Sequence, residues 1–256
     1  MSKQESNVNF DGTPGVKSNV NLGRRRALVA GGAAATLGVL IAPGLRLIEV
    51  AGATTTMASP QVRWGLLIDT TLCSSDCTAC VAACNKENHL SGKTAPTDSQ
   101  WIRKVELKDL RSGRTASLPM MCQHCANPPC VDVCPTGASM KRADGIGLVD
   151  RHICIGCRYC MMACPFKARS FVHENLTDQN PEVPRGKGCV ESCTLCVHRV
   201  DRGLQPACAE ACPSKAITFG NMNDPQSEIM QKINSRASVG LRPDLRLDAG
   251  VRYQGI

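Results

Sequence analysis

The chain has 256 residues, 30 Lys+Arg against 22 Asp+Glu, 17 cysteines and four Phe, two Trp and two Tyr as its only aromatics. That length allows one or two compact domains, and 43% hydrophobic content with moderate charge excludes wholesale disorder. The longest apolar run, Ala27 to Ala42, is 16 residues; at about 1.5 Å per residue it falls short of a roughly 30 Å hydrocarbon layer, so a multi-span membrane protein is excluded.

Residues 1–53 read as an address. Met1 to Gly23 is polar and turn-rich, and Arg24-Arg25-Arg26-Ala27-Leu28 then opens the mild apolar stretch that ends at Pro43-Gly44. A positive n-region, a short h-region and the A-x-A site Ala51-Gly52-Ala53 make a secretory signal, with cleavage expected before Thr54. Arg25-Arg26-x-Leu28 fits the twin-arginine form, with Leu where Phe is usual. An uncleaved anchor helix is the alternative. Export already folded suits a thiol-rich chain, which would form disulfides if threaded unfolded into an oxidising compartment. The expected location is therefore the periplasm, peripheral to the cytoplasmic membrane.

Sixteen of the cysteines fall into four groups of four: Cys73, Cys77, Cys80, Cys84; Cys122, Cys125, Cys130, Cys134; Cys154, Cys157, Cys160, Cys164; and Cys193, Cys196, Cys208, Cys212. Only Cys189 is left over. The third group, followed by Pro165, is the bacterial ferredoxin run C-x2-C-x2-C-x3-C-P. Three thiolates within seven residues wrap one face of a cubane only from a tight loop, where Gly156 can take positive φ; the fourth points to a neighbouring cluster. Structural zinc uses C-x2-C pairs rather than such runs, and a disulfide scaffold suits a smaller secreted domain. No C-x-x-C-H is present, which excludes covalent c-type haem. Four 4Fe–4S clusters are the expected cofactors.

Internal repeats agree. Leu67 to Cys73 matches Leu148 to Cys154 as a short β-type run entering a cysteine loop, and Cys134-Pro-Thr-Gly-Ala138, Cys164-Pro-Phe-Lys-Ala168 and Cys212-Pro-Ser-Lys-Ala216 share one C-P-x-x-A exit frame. The duplicated unit is strand, cluster loop, short helix, strand. Trp101 to Leu107 and Thr115 to Leu118 predict a hairpin that decorates the surface, and residues 177–188 predict a loop. Asp224-Pro225 predicts a helix cap and first-turn proline, with Ile229 and Ile233 on one face; from Arg236 onward an extended tail is expected, free to embrace a partner.

After residue 53 there remain 24 Lys+Arg and 19 Asp+Glu, a net of +5. Four oxidised clusters with their thiolates contribute about −8, bringing the holo chain near −3, so the basic balance carries no argument for nucleic acid. Arg158, Lys167 and Lys215 are expected to offset cluster charge or face solvent.

With these motifs in view, the four groups, including the x4 gap in the second and the x11 gap in the fourth, resemble the electron-transfer subunits of the DMSO reductase type over residues 64–221. The resemblance implies an α+β fold of two tandem ferredoxin-like domains with pseudo-twofold repeat, plus hairpin and C-terminal tail decorations. The module would span 54–221, with an inner cluster pair about 122–184, an outer pair from 64–121 and 185–221, and a helix and tail over 222–256. It pairs the first group with the fourth and the second with the third. One cluster would take Cys73, Cys77, Cys80 and Cys212, and its neighbour Cys193, Cys196, Cys208 and Cys84. The inner pair would use Cys122, Cys125, Cys130 with Cys164, and Cys154, Cys157, Cys160 with Cys134. Cys189, separated from Cys193 by three residues, either competes as a ligand or is a spare thiol. His124, His152 and His198 lie near the thiols and are expected to support or face solvent rather than bind iron.

Met121-Cys-Gln-His-Cys-Ala-Asn-Pro-Pro-Cys130, Cys157-Arg-Tyr-Cys-Met-Met-Ala-Cys164 and Cys193-Thr-Leu-Cys-Val-His-Arg199 resemble a narrower set, the periplasmic iron–sulfur subunits of membrane complexes in sulfur metabolism. That implies a relay between an NrfD-type integral membrane quinone-interacting subunit and a periplasmic multihaem cytochrome c. No nucleophile–base pair, molybdenum site or flavin fingerprint is present, so catalysis by the chain alone is not expected. A subunit of a molybdopterin reductase (tetrathionate reductase-like) or hydrogenase, and a non-redox protein stapled by clusters, are the rivals.

Overall fold

The computed structural model describes residues 58–256. The twin-arginine signal and its cleavage site lie outside the described residues. In chain order the elements are β1 (Trp64–Asp69), α1 (Ala79–Glu87), β2 (Ile102–Lys108), β3 (Thr115–Met121), α2 (Pro129–Asp132), β4 (Ser139–Lys141), β5 (Gly147–Val149), α3 (Tyr159–Ala163), β6 (Arg169–Phe171), β7 (Val190–Ser192), α4 (Val197–Val200), α5 (Ala207–Glu210), β8 (Ile217–Asn221), α6 (Glu228–Ser235), a 3-10 turn Pro243–Leu245, and β9 (Val251–Gln254). None of these helices is long and apolar enough to cross a membrane.

Strand pairing follows the cysteine groups. β2, after the first group, pairs antiparallel with β3, before the second; β4 pairs likewise with β5, and β6 with β7. The strand after the last group, β8, returns antiparallel to β1, before the first. Chain direction therefore reverses between consecutive groups, and the final pairing brings the two ends of the cysteine-bearing segment together.

β1 is the middle strand of the order β8–β1–β9. Being covered on both faces it reads as a continuous apolar run, and Leu66, Leu67 and Ile68 are buried. Trp64 stacks on Phe219 of β8 at 4.9 Å between centroids.

Three expectations are corrected here. The hairpin is not surface decoration: Trp101, Ile102, Leu118 and Met121 enter the main core. Nor is the C-terminal stretch a free tail, because β9 pairs parallel with β1 and Tyr253 is fully buried. Its hydroxyl donates to the Pro119 carbonyl and accepts from Gln123 Nε2, both at 3.2 Å, which ties the chain end to the hairpin and the second cysteine loop. The late helix also starts later than expected. Ser227 is its cap, accepting from the Met230 amide, while Asp224 closes a turn with the Gln226 amide.

One buried ion pair anchors the entry to the fourth group. Glu191 of β7 holds Arg185 through two bonds of 2.7 and 2.9 Å, and Arg185 also donates to the His89 carbonyl. Both side chains are almost fully buried. Replacing Glu191 by Gln strands a buried guanidinium, and we expect a loss of about 3–5 kcal/mol in denaturant unfolding. A loss under about 1 kcal/mol, the value of an exposed pair, would contradict this.

Candidate metal centre

The three C-P-x-x-A frames fold alike. The residue before the alanine is left-handed in each, Gly137 at φ 70°, Lys167 at 49° and Lys215 at 52°. Its amide donates to the cysteine carbonyl at 3.3, 3.2 and 3.2 Å respectively. The alanine that follows is buried every time, and a strand begins at the next residue. The proline ends the preceding helix, because it lacks the amide that another turn needs. No proline follows Cys84, and α1 runs on to Glu87.

Gly156 bends the third loop at φ +70°, and a Cβ there would stand 2.3 Å from the Gly188 carbonyl oxygen. It serves both the turn and the close approach of the neighbouring loop.

The helices bring thiols from different groups together. α1, with Cys80 and Cys84, packs on α5, with Cys208; α2, with Cys130, packs on α3, with Cys160. Cys122, Cys125 and Cys130 line one cavity together with Cys164 of the third group; Pro128, Val131, Phe166 and Arg169 complete much of its wall. Cys80 faces Cys73 and Cys212, and Cys84 faces Cys208 and Cys196. Cys193 faces Cys84, Cys208 and Cys196, and Cys160 faces Cys130 and Cys134. Cys157 stands exposed.

Burial first, and then the charge of neighbouring thiolates, pushes Cys125 and Cys208 up to about 12. Burial likewise raises Cys122 to about 11 and sends Cys84 and Cys193 well above the usual thiol range. Buried thiols that crowd one another this way ionise together only when a cation shares the site. The donor set therefore fits iron–sulfur clusters, whose iron is held by thiolates.

Donors aimed at sulfur strengthen the fit. The Ser139 and Leu195 amides reach Cys134 and Cys193 Sγ at 3.3 and 3.4 Å, and Asn88 Nδ2 reaches Cys84 Sγ at 3.6 Å. Lys104 Nζ lies 3.0 Å from Cys73 Sγ, and Arg169 Nη2 lies 3.1 Å from Cys130 Sγ. Sequence reasoning missed Lys104, Asn88 and Arg169, and singled out instead Arg158, Lys167 and Lys215. Arg158 lies over the Phe171 ring at 3.8 Å, and the two lysines are exposed. The one available signal was position: Arg169 directly follows the exit frame of the third group.

His124 is buried, its Nδ1 accepting from the Gly147 amide at 3.1 Å, so it braces the second loop against β5. His198 pairs with Glu87 at 2.7 Å, and His152 is exposed. Cys189 is buried, with its thiol 3.3 Å from the Arg151 carbonyl and 3.9 Å from that of Cys154. It has a hydrogen-bond acceptor of its own. We expect Cys189→Ala to leave iron content unchanged and to cost about 1 kcal/mol of stability, read by iron assay and anaerobic melting. A loss of iron would make it a ligand.

Residues 114–222 match the 4Fe-4S dicluster domain family. Fold, thiol arrangement and this match define an iron–sulfur protein of the 4Fe–4S kind. The chain is 38% identical to an iron–sulfur subunit of the Hdr-like menaquinol oxidoreductase of Archaeoglobus fulgidus, over 91% of this chain and 97% of that one. It is 37% identical to a subunit of the tetrathionate reductase of Salmonella typhimurium, over 77% and 74% of the two chains. It is 35% identical to a subunit of the sulfite dehydrogenase of Allochromatium vinosum, over 70% and 77%. The chain belongs to this family, the 4Fe–4S electron-transfer subunits of oxidoreductase complexes.

Proposed function

We propose that the chain holds four 4Fe–4S clusters in two tandem ferredoxin-like pairs and relays single electrons between a membrane quinone-interacting subunit of the NrfD type and a periplasmic multihaem cytochrome c. It would do so after folded export, at the outer face of the cytoplasmic membrane. The observation that carries the reading is the cavity where Cys164 joins Cys122, Cys125 and Cys130. The ligand sets are Cys73, Cys77, Cys80, Cys212; Cys84, Cys193, Cys196, Cys208; Cys122, Cys125, Cys130, Cys164; and Cys134, Cys154, Cys157, Cys160. When bound, the clusters supply one-electron oxidation and reduction within about −700 to +450 mV.

The protein's own residues do the rest. Burial of seven of these sixteen cysteines keeps water from part of the sulfur, and Lys104 and Arg169 place positive charge beside thiolates. Ile155, Tyr159 and Met162 stand exposed in the segment that carries the exposed Cys157, which supports contact with a redox partner there. The menaquinol oxidoreductase relative supports a quinone-linked partner, and the tetrathionate and sulfite enzymes support sulfur chemistry. In this reading the chain is the counterpart of DsrO, the periplasmic iron–sulfur subunit of the DsrMKJOP complex.

Similarity to the tetrathionate reductase relative favours a second reading, the electron-transfer subunit of a molybdopterin enzyme. Isolating the complex anaerobically from membranes and identifying its components separates the two. An NrfD-type protein with a multihaem cytochrome supports the first; a large molybdopterin subunit overturns it.

A further inference from the structure

Arg169, the first residue of β6, is 6% exposed. Its Nη2 donates to Cys130 Sγ at 3.1 Å, while Nε and Nη1, equally buried, find no acceptor among the described residues. A buried donor without a partner costs about 1–3 kcal/mol, and more when charged. Such a guanidinium persists only where something negative offsets the loss. Arg169 lines the cavity of Cys122, Cys125, Cys130 and Cys164, and its strand β6 packs on α3, which carries the thiol of Cys160.

Those thiols do not belong to one ligand set. Cys130 and Cys122 share the cavity with Cys125 and Cys164, whereas Cys160 sits in the run Cys154, Cys157, Cys160. Register explains the placement: Arg169 opens the strand after the third group, and its side chain lines the cavity of the second. At the corresponding position the other two frames carry Ser139 and Ile217, neither of them charged.

We propose that Arg169 is a shared potential-setting residue, a single buried cation that raises the reduction potentials of two adjacent clusters together. The inference rests on the ligand sets proposed above. A fixed positive charge favours the more negative, reduced state of each centre; in a water-poor site it does so with little screening. One residue thus moves the potentials of two adjacent steps of the relay in the same direction. The fork touches Cys130 of one set with Nη2 and leaves two further buried N–H groups beside the helix that carries Cys160, whereas a lysine offers a single point charge.

The test is an anaerobic dithionite titration of the full-length protein, followed by EPR, for wild type, Arg169→Gln and Arg169→Lys. Iron is assayed on each sample. In Arg169→Gln two of the cluster signals are expected to move to lower potential by about tenfold in their reduction equilibria, ~59 mV for one electron, with the others unmoved. Arg169→Lys is expected to move both by less. Full iron with no shift, or a shift of one signal only, overturns the proposal while leaving the ligand sets intact. If the Gln variant fails to load iron, Arg169→Lys decides by the same criterion. Wild-type protein with far fewer than about sixteen irons fails the ligand reading itself, before Arg169 is tested.

Discussion

Stripping iron from the anaerobic protein with a strong chelator is expected to abolish its cooperative thermal transition. Eight of the buried core positions among the described residues are cysteines, and Cys80, Cys84, Cys193 and Cys208 sit in the main apolar cluster. Without metal these are small, weakly apolar side chains whose ionisation burial opposes. The elements they carry are too short to stand alone: α2, α4 and α5 have four residues each, and β4 to β7 three each. Helix propensity and isolated hairpins supply little at that length, so metal-binding energy is folding energy here. Circular dichroism melts before and after chelation read the effect. A sharp transition surviving complete iron removal would show that apolar packing suffices.

The second large effect is local and depends on crossed ligation. Cys164→Ser is expected to cost about four of sixteen irons and to remove the same EPR signal that Cys125→Ser removes. Cys134→Ser should instead remove the signal that Cys157→Ser removes. Neighbours in sequence would give the opposite pairing, since Cys164 lies four residues from Cys160 and 34 from Cys130. What brings Cys164 to the second group is Pro165, which breaks the chain out of α3, and the turn closed by the Lys167 amide on the Cys164 carbonyl. If Cys164→Ser and Cys157→Ser removed one common signal, each run would hold its own cluster and the crossed scheme would fall.

Much of the site was legible because cysteine spacing and C-P-x-x-A frames are local signals: chain stiffness over four residues dictates where a thiol points. The bend at Gly156 was legible for the same reason. The strand pairing was not. A three-residue strand such as Ser139–Lys141 or Val190–Ser192 carries too few alternations for a period to emerge. β9 was hidden more deeply, because Val251–Gln254 is four residues long and its partner β1 lies at the far end of the described chain. Its parallel pairing with β1 and the burial of Tyr253 against Pro119 and Gln123 give it a place. Asp224-Pro225 misled because an Asp–Pro start and an Asx turn use the same residues; the turn won, and Ser227 took the cap. Lys104 and Arg169 escaped notice since a cation's aim at sulfur from another element leaves no trace in local spacing.

The central claim is that sixteen cysteines hold four cubanes. Quantitative iron and acid-labile sulfide analysis of anaerobically purified full-length protein, with Mössbauer spectroscopy of the same sample, tests it most directly. The expected result is about sixteen of each per chain, all in one cubane-type spectrum. About eight of each, or zinc in place of iron, would contradict it.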